Sequence, residues 1–264
     1  MREPGRLAVS LLPKPWGRTD LPALYGSGSE RIGEIWFERP EPLRDILAKY
    51  LFTDEKLSVQ VHPTAANSPT QRGKDECWLI TEAREDAVLA LGFRQDVERA
   101  HIRQAALDGS IADLLDWRPV RRDDFFYVPS GTVHAIGPGL TLVEIQQNTD
   151  ITHRLFDYGR PRELHLDDAL QSIIPRPHPG SLRRSVEPGE ESLLVDGPHY
   201  RVAQVQGAPS RDLAAHFVDD VQILPLAGVC GIAGTTVPEG GSGWARKLAD
   251  IDFGDCERCL LVAR

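Results

Sequence analysis

The sequence predicts a mainly β protein in two β-rich units, the first carrying a small helical insertion. Three observations predict it. Apolar residues fall mostly in short alternating runs, Gly, Pro and Asp punctuate those runs, and a proline-rich break at residues 175–180 divides the chain. At 264 residues, 41% hydrophobic and 26% charged, the chain can bury a substantial core.

The strands of the first unit follow in order. IGEIWF (32–37) comes first, then LSVQVH (57–62), whose alternation sets Leu57, Val59 and Val61 on one face and Ser58, Gln60 and His62 on the other. DECWLITE (75–82) and AVLALGF (87–93) are apolar runs rich in strand formers. The pattern then changes. DVERAHIRQAAL (96–107) has helical spacing, an Asp start and a stop at Gly109; SIADLLDW (110–117) follows, with Asp113 three residues after Ser110 in a variant capping box. These two segments make the helical insertion, about residues 96–117. Strands resume with DFFYVPS (124–130), LTLVEIQQ (140–147) and ITHRLFDY (151–158), and a third helix covers LHLDDALQSI (164–173).

Residues 1–174 thus form the unit expected to hold the chemistry, 175–182 a linker, and 183–264 a second β unit. That second unit reads as strands in 193–206, 221–234, 244–253 and 258–264, with no dense set of ligand-type residues.

A net charge of −9 and a pI near 5.4 argue against a nucleic-acid partner, which calls for a basic face. No apolar run approaches the ~20 residues of a membrane span, and the N-terminus meets prolines too soon for a signal peptide. A reducing, cytoplasmic setting is expected. Cys77 reads as a buried thiol, and the Cys256/Cys259 C-x-x-C pair, lacking a partner pair, as packing rather than a metal or redox motif.

The chemistry-bearing residues sit in three segments. Gln60 and His62 share one strand face, and Glu76 lies in the next apolar run. In FFYVPSGTVHAIG, Pro129 and Gly131 specify a tight turn that presents His134 on the returning strand. Two imidazoles, a carboxylate and an amide oxygen suit Zn²⁺, one per chain, with room for water or substrate. Hard cations fit two imidazoles less well. A barrel, with inward side chains at every second residue, brings such segments together.

LSVQVHP, GKDECW, FFYVPSGTVHAIG, EIQQNTDITHRLFDY and RELH together resemble the type I mannose-6-phosphate isomerases, zinc enzymes of the cupin superfamily. The resemblance runs in order from about Trp16 to Ile173, and implies two cupin-like jelly-roll barrels, the second degenerate. It implies interconversion of mannose 6-phosphate and fructose 6-phosphate through a cis-enediol. Gln60, His62, Glu76 and His134 fall on the family's zinc ligands, and Arg154 on its catalytic arginine. Glu144, Lys74 and Asp150 match polar residues of its pocket, with Glu144 and Lys74 as candidate acid–base groups and Lys74, Arg154 and Asp150 as substrate contacts. The sequence departs from the family at HPTAAN after His62, at Asp123 where a glycine is usual, at His153 and at Cys77.

Strand alternation puts Thr152, Arg154 and Phe156 on one face, and QNTD is expected to turn a hairpin that brings Glu144 and Arg154 together. Two alternatives remain open: a non-catalytic sugar-binding cupin, and a metal-dependent cupin acting on another substrate, for which His62, Glu76 and His134 would also serve.

Overall fold

The structure, a computed structural model, describes residues 3–26 and 28–264; Met1 and Arg2, which begin the first expected unit, lie outside the described residues, as does Ser27. A seven-stranded antiparallel sheet runs across the molecule. Its order is Arg183–Ser185, Asp124–Val128, Glu76–Ala83, Leu140–Gln147, Ile46–Thr53, Ile32–Phe37 and Val9–Arg18. Facing it is a five-stranded sheet of His153–Phe156, Val59–Val61, His134–Ile136, Val88–Phe93 and Leu115–Pro119. Trp16, Leu51, Trp78, Ile80, Leu89 and Leu142 fill one end of the space between them. The helices Arg99–Asp108, Ile111–Leu114 and Leu166–Ser172 cover the outer face of the five-stranded sheet, burying Ile102, Ala105, Ile111 and Ala169.

The other face of the seven-stranded sheet is buried too. It packs Tyr50, Phe52, Leu79, Val143 and Ile145 against Tyr200, Val202, Leu224 and Leu260. The latter belong to a six-stranded sheet built mostly from Ser192–Asp196, Arg201–Val205, Asp219–Gly228, Gly243–Lys247 and Cys256–Ala263. A three-stranded sheet of Thr235–Val237, Cys230–Ile232 and Ile251–Asp252 lies beyond it and encloses a second core around Phe217, Val221, Ile223 and Leu261. The chain is therefore mainly β, and among the described residues no helix is long and apolar enough to cross a membrane.

Several local expectations differ. The strand Ile46–Thr53, ILAKYLFT, is buried at every position. Its run does not alternate because both faces are covered, and alternation alone overlooks it. The helical insertion ends earlier than expected, since Leu115–Pro119 is a strand paired with Val88–Phe93. The Ser110 side chain caps nothing; instead Asp108 accepts hydrogen bonds from the Ser110 N–H and hydroxyl. Phe156 does not share a face with Arg154, because the register slips between them and both Leu155 and Phe156 pack toward the helices.

One buried polar contact joins the N- and C-terminal parts. Asp123 has φ +72°, a conformation that favours glycine, and its carboxylate pairs with the guanidinium of the buried Arg258, whose Nε donates to Gln204 Oε1 at 2.7 Å.

Candidate metal centre and cleft

The polar end of the space between the two facing sheets is a cleft of about 360 Å³. Three adjacent strands of the five-stranded sheet place Gln60 between His134 on one side and Arg154 on the other, each directly opposite it in register. From the seven-stranded sheet come Glu76 and, one strand over, Glu144, which stands opposite Lys49. Glu76, Glu144 and Lys49 alternate with apolar residues that face the C-terminal sheet, and Gln60, His134 and Arg154 with apolar residues that face the helices, so strand pleating alone aims both sets inward.

His62, Glu76 and His134 converge, with their ligand atoms all within 4.8 Å of one another and all three residues buried. His62 Nε2 is 3.2 Å from Glu76 Oε1. The remaining imidazole nitrogens are occupied: His62 Nδ1 lies 2.9 Å from the Ile151 carbonyl and His134 Nδ1 2.9 Å from the Thr132 carbonyl. A proton donated from Nδ1 to a backbone carbonyl leaves Nε2 as the bare nitrogen pointing at the carboxylate, the tautomer a metal ligand needs. The Gln60 amide lies 3.2 Å from His134 Nε2, and Ser58 Oγ is 3.0 Å from its Oε1. Rotating that amide by half a turn presents its oxygen to the cluster.

Charge states agree with this. Burial, and then the neighbouring Lys74 ammonium, hold His62 below its ordinary value. Burial and then His62 push His134 down to about 3. Burial raises Glu76, but Lys74, His62 and His134 outweigh it and keep the carboxyl well below the usual range. At neutral pH the cluster is two neutral imidazoles and one carboxylate, ready to bind without losing a proton. It is a candidate metal site.

Around it stand the other expected residues. Lys74 Nζ is 3.0 Å from Glu76 Oε1 and 3.4 Å from His62 Nε2. Arg154 and Asp150 line the cleft, and Arg154 Nε is buried without a hydrogen-bond partner among the described residues. Glu144 and Arg154 do share the cleft, but not as a hairpin. Their strands lie in different sheets, and residues 148–152 cross between them. His153 faces away, opposite Val61, as expected.

Three residues were missed. Lys49 Nζ sits 3.0 Å from Glu144 Oε1 and 3.7 Å from Glu34 Oε2, and Lys14 Nζ is 3.5 Å from Glu34 Oε1. Burial lowers Lys49, yet Glu144 and then Glu34 more than reverse this, so it stays protonated. Burial and the Glu76 charge, opposed by Lys49, push Glu144 up to about 8. A single lysine inside the apolar run ILAKYLFT was the signal available, because a buried strand admits a charge only with a partner. His165 and Arg162 also line the cleft; His165 Nδ1 accepts the Arg154 N–H at 3.2 Å, and Arg162 is held by Asp157 at 2.5 and 2.6 Å.

No family model matches the chain. The mannose-6-phosphate isomerase of Streptococcus mutans serotype c is 37% identical over 188 residues, covering 66% of this chain and 58% of that protein. Mannose-6-phosphate isomerase ManA of Bacillus subtilis is 40% identical over 147 residues, 50% of this chain and 46% of that one. The match thus spans about half the length of these curated relatives. Among solved structures, the Bacillus subtilis mannose 6-phosphate isomerase superposes with a TM-score of 0.77 at 23% identity, covering 100% of both chains. A putative mannosephosphate isomerase from Archaeoglobus fulgidus superposes at 0.74 with 15% identity, covering 98% of this chain and 96% of that one. These likenesses establish a shared fold.

Proposed function

We propose that this chain, a homologue of the mannose-6-phosphate isomerases that shares their fold, is itself a zinc-dependent isomerase interconverting mannose 6-phosphate and fructose 6-phosphate. One observation carries the reading. The His62–Glu76–His134 donor set lies in the same cleft as a buried Lys49–Glu144 pair, Lys74 and Arg154. That is more titratable chemistry than a sugar-binding pocket needs.

The donor set fits zinc, with His62 Nε2, Glu76 and His134 Nε2 as ligands and the Gln60 amide oxygen as a fourth. A bound zinc ion would supply Lewis acidity toward the sugar's carbonyl and hydroxyl oxygens. The protein's own residues do the rest. A base removes the C2 proton of the aldose; the electron pair forms the C1–C2 double bond and the carbonyl oxygen becomes a hydroxyl. Returning a proton to C1 while the C2 hydroxyl gives up its own completes the ketose. Glu144, held at about 8, suits taking and returning a proton near neutrality. Lys49, 3.0 Å away, favours its ionised form when it acts as base. Lys74 can hand a proton to a sugar oxygen, and Arg154, with an unpartnered buried Nε, offers a donor to the enediolate or to the phosphate. Asp150 at the rim accepts from a sugar hydroxyl. Phosphorylated sugars and free cysteines both suit a cytoplasmic setting.

A coupled assay tests this. Mannose 6-phosphate should be turned over by the zinc-loaded protein, activity should vanish on chelation, and zinc should restore it. A zinc-loaded chain that binds the sugar phosphate without turnover would replace the isomerase with the sugar-binding alternative.

A further inference from the structure

The C-terminal part holds a cluster that this chemistry does not use. Cys230, Cys256 and Cys259 bring their sulfurs within 4.8 Å of one another; all three are buried and none is in a disulfide. A buried cysteine usually serves as a small apolar side chain. That accounts for each one separately but not for their convergence.

The backbone is arranged to produce it. Cys230 comes from the central strand of the three-stranded sheet, and the other two from the strand Cys256–Ala263 of the six-stranded sheet. Residues three apart on a regular strand point to opposite faces. Cys259, Leu261 and Ala263 alternate toward the second core, while Leu260 and Val262 face the first. Continuing that alternation, the next inward position is 257, yet Glu257 is exposed and Cys256 takes the interior place. The register explains this: Ala227 pairs with Arg258 but Gly228 pairs with Cys256, so one extra residue is accommodated at Glu257. Such a bulge re-aims a side chain. Opposite it stands Gly228, at φ +73°, where a Cβ would run into the Asp255 carbonyl oxygen.

We propose that Cys230, Cys256 and Cys259 form a second metal site, taking a soft, thiophilic ion, Zn²⁺ or Cu⁺, as three thiolates. Thiolates select such ions over Mg²⁺ or Ca²⁺. Metal–sulfur bonds of about 2.3 Å in tetrahedral geometry set sulfurs roughly 3.8 Å apart, so the cluster closes by about 1 Å or less. Each thiol gives up its proton to solvent as its metal–sulfur bond forms. Among the described residues no fourth His, Cys, Asp or Glu joins the group. Cu⁺ would be satisfied by the three sulfurs, whereas Zn²⁺ would add a water. The ion would clip the three-stranded sheet to the six-stranded one.

The test counts metal per full-length chain after separate loading with Zn²⁺ or Cu⁺. One ion more than the His62–Glu76–His134 cluster accounts for is expected. His134→Ala should keep that extra ion, and Cys256→Ala should lose it. Co²⁺ added to the wild type and to His134→Ala should give thiolate charge-transfer absorption in both. This reading holds even if Cys256→Ala fails to fold. Retention by only one of Zn²⁺ or Cu⁺ identifies the ion. No thiolate absorption together with no extra Zn²⁺ or Cu⁺, an extra ion that persists in Cys256→Ala, or a wild-type mass lowered by the two hydrogens of a disulfide would overturn the proposal.

Discussion

Replacing Lys49 by methionine tests how the cleft is held together. The lysine lies between two carboxylates, 3.0 Å from Glu144 and 3.7 Å from Glu34, and the three side chains are only 6%, 3% and 11% exposed. Methionine keeps the volume and removes the charge. Glu34 retains Lys14 at 3.5 Å and the Trp36 N–H at 2.6 Å, but Glu144 loses its ion-pair partner and keeps only the more distant charge of Lys74. Breaking a buried pair in this way costs about 3–5 kcal/mol. For a chain of this size that corresponds to a melting temperature lower by roughly 6–20 °C. The loss should depend on pH with a definite sign. With Lys49 in place Glu144 is already held at about 8, well above the unfolded value of about 4.3, and without the lysine it rises further. A raised folded pKa leaves stability intact below the unfolded value and removes it as pH rises through the folded one. Below about pH 7 both proteins keep the Glu144 carboxyl protonated, so its share of the deficit is small there and grows as pH rises through about 8, leaving the total deficit larger at pH 9 than at pH 6. Urea unfolding of both proteins, stripped of metal and compared at the same pH so that titration of the histidines cancels in the difference, measures it. Equal deficits at pH 6 and pH 9, or a deficit under about 1 kcal/mol at pH 9, would refute the reasoning.

Arg154→Ala should lower kcat by about 10²–10³ with unchanged zinc content, as for loss of one oxyanion donor, and a purely KM effect would assign the residue to phosphate binding alone. His134→Ala should empty the His62–Glu76–His134 site, as read by zinc content. Because the folded pKa of His134 is depressed to about 3, its stability contribution is present above the unfolded value and lost as pH falls from about 6.5; His134→Leu should flatten the acid side of the metal-free stability curve. Asp123→Gly relieves a positive φ yet strands the buried Arg258, so it should destabilise by roughly 1–3 kcal/mol in thermal unfolding, and Arg258→Leu in the same background should recover much of that.

Sequence reading reaches furthest where one signal decides. Gln60 and His62 were legible as facing one way because their strand is apolar on one face and polar on the other, and His134 because Pro129 and Gly131 specify the turn before it. It failed where two environments overlap. ILAKYLFT is covered on both faces, so its alternation vanishes and Lys49 passes unnoticed. Phe156 was placed beside Arg154 because a bulge has no periodic signature, and the same limit hid the cysteine cluster: C-x-x-C on a regular strand diverges, and only the slip at Glu257 makes it converge. Glu144 and Arg154 meet across two sheets rather than along a hairpin, a long-range fact that ten residues of local sequence do not carry.

The seven-stranded sheet is a party wall. In Ile46–Thr53, Lys49 and Leu51 belong to the chamber that holds the cleft, while Ala48, Tyr50 and Phe52 belong to the room next door. Neither tenant can renovate alone. A larger side chain on the C-terminal side of that wall presses on the same backbone that spaces Lys49 from Glu144. Screening for altered substrate range should therefore recover changes at Tyr50, Val143 or Leu224, residues no sugar can touch.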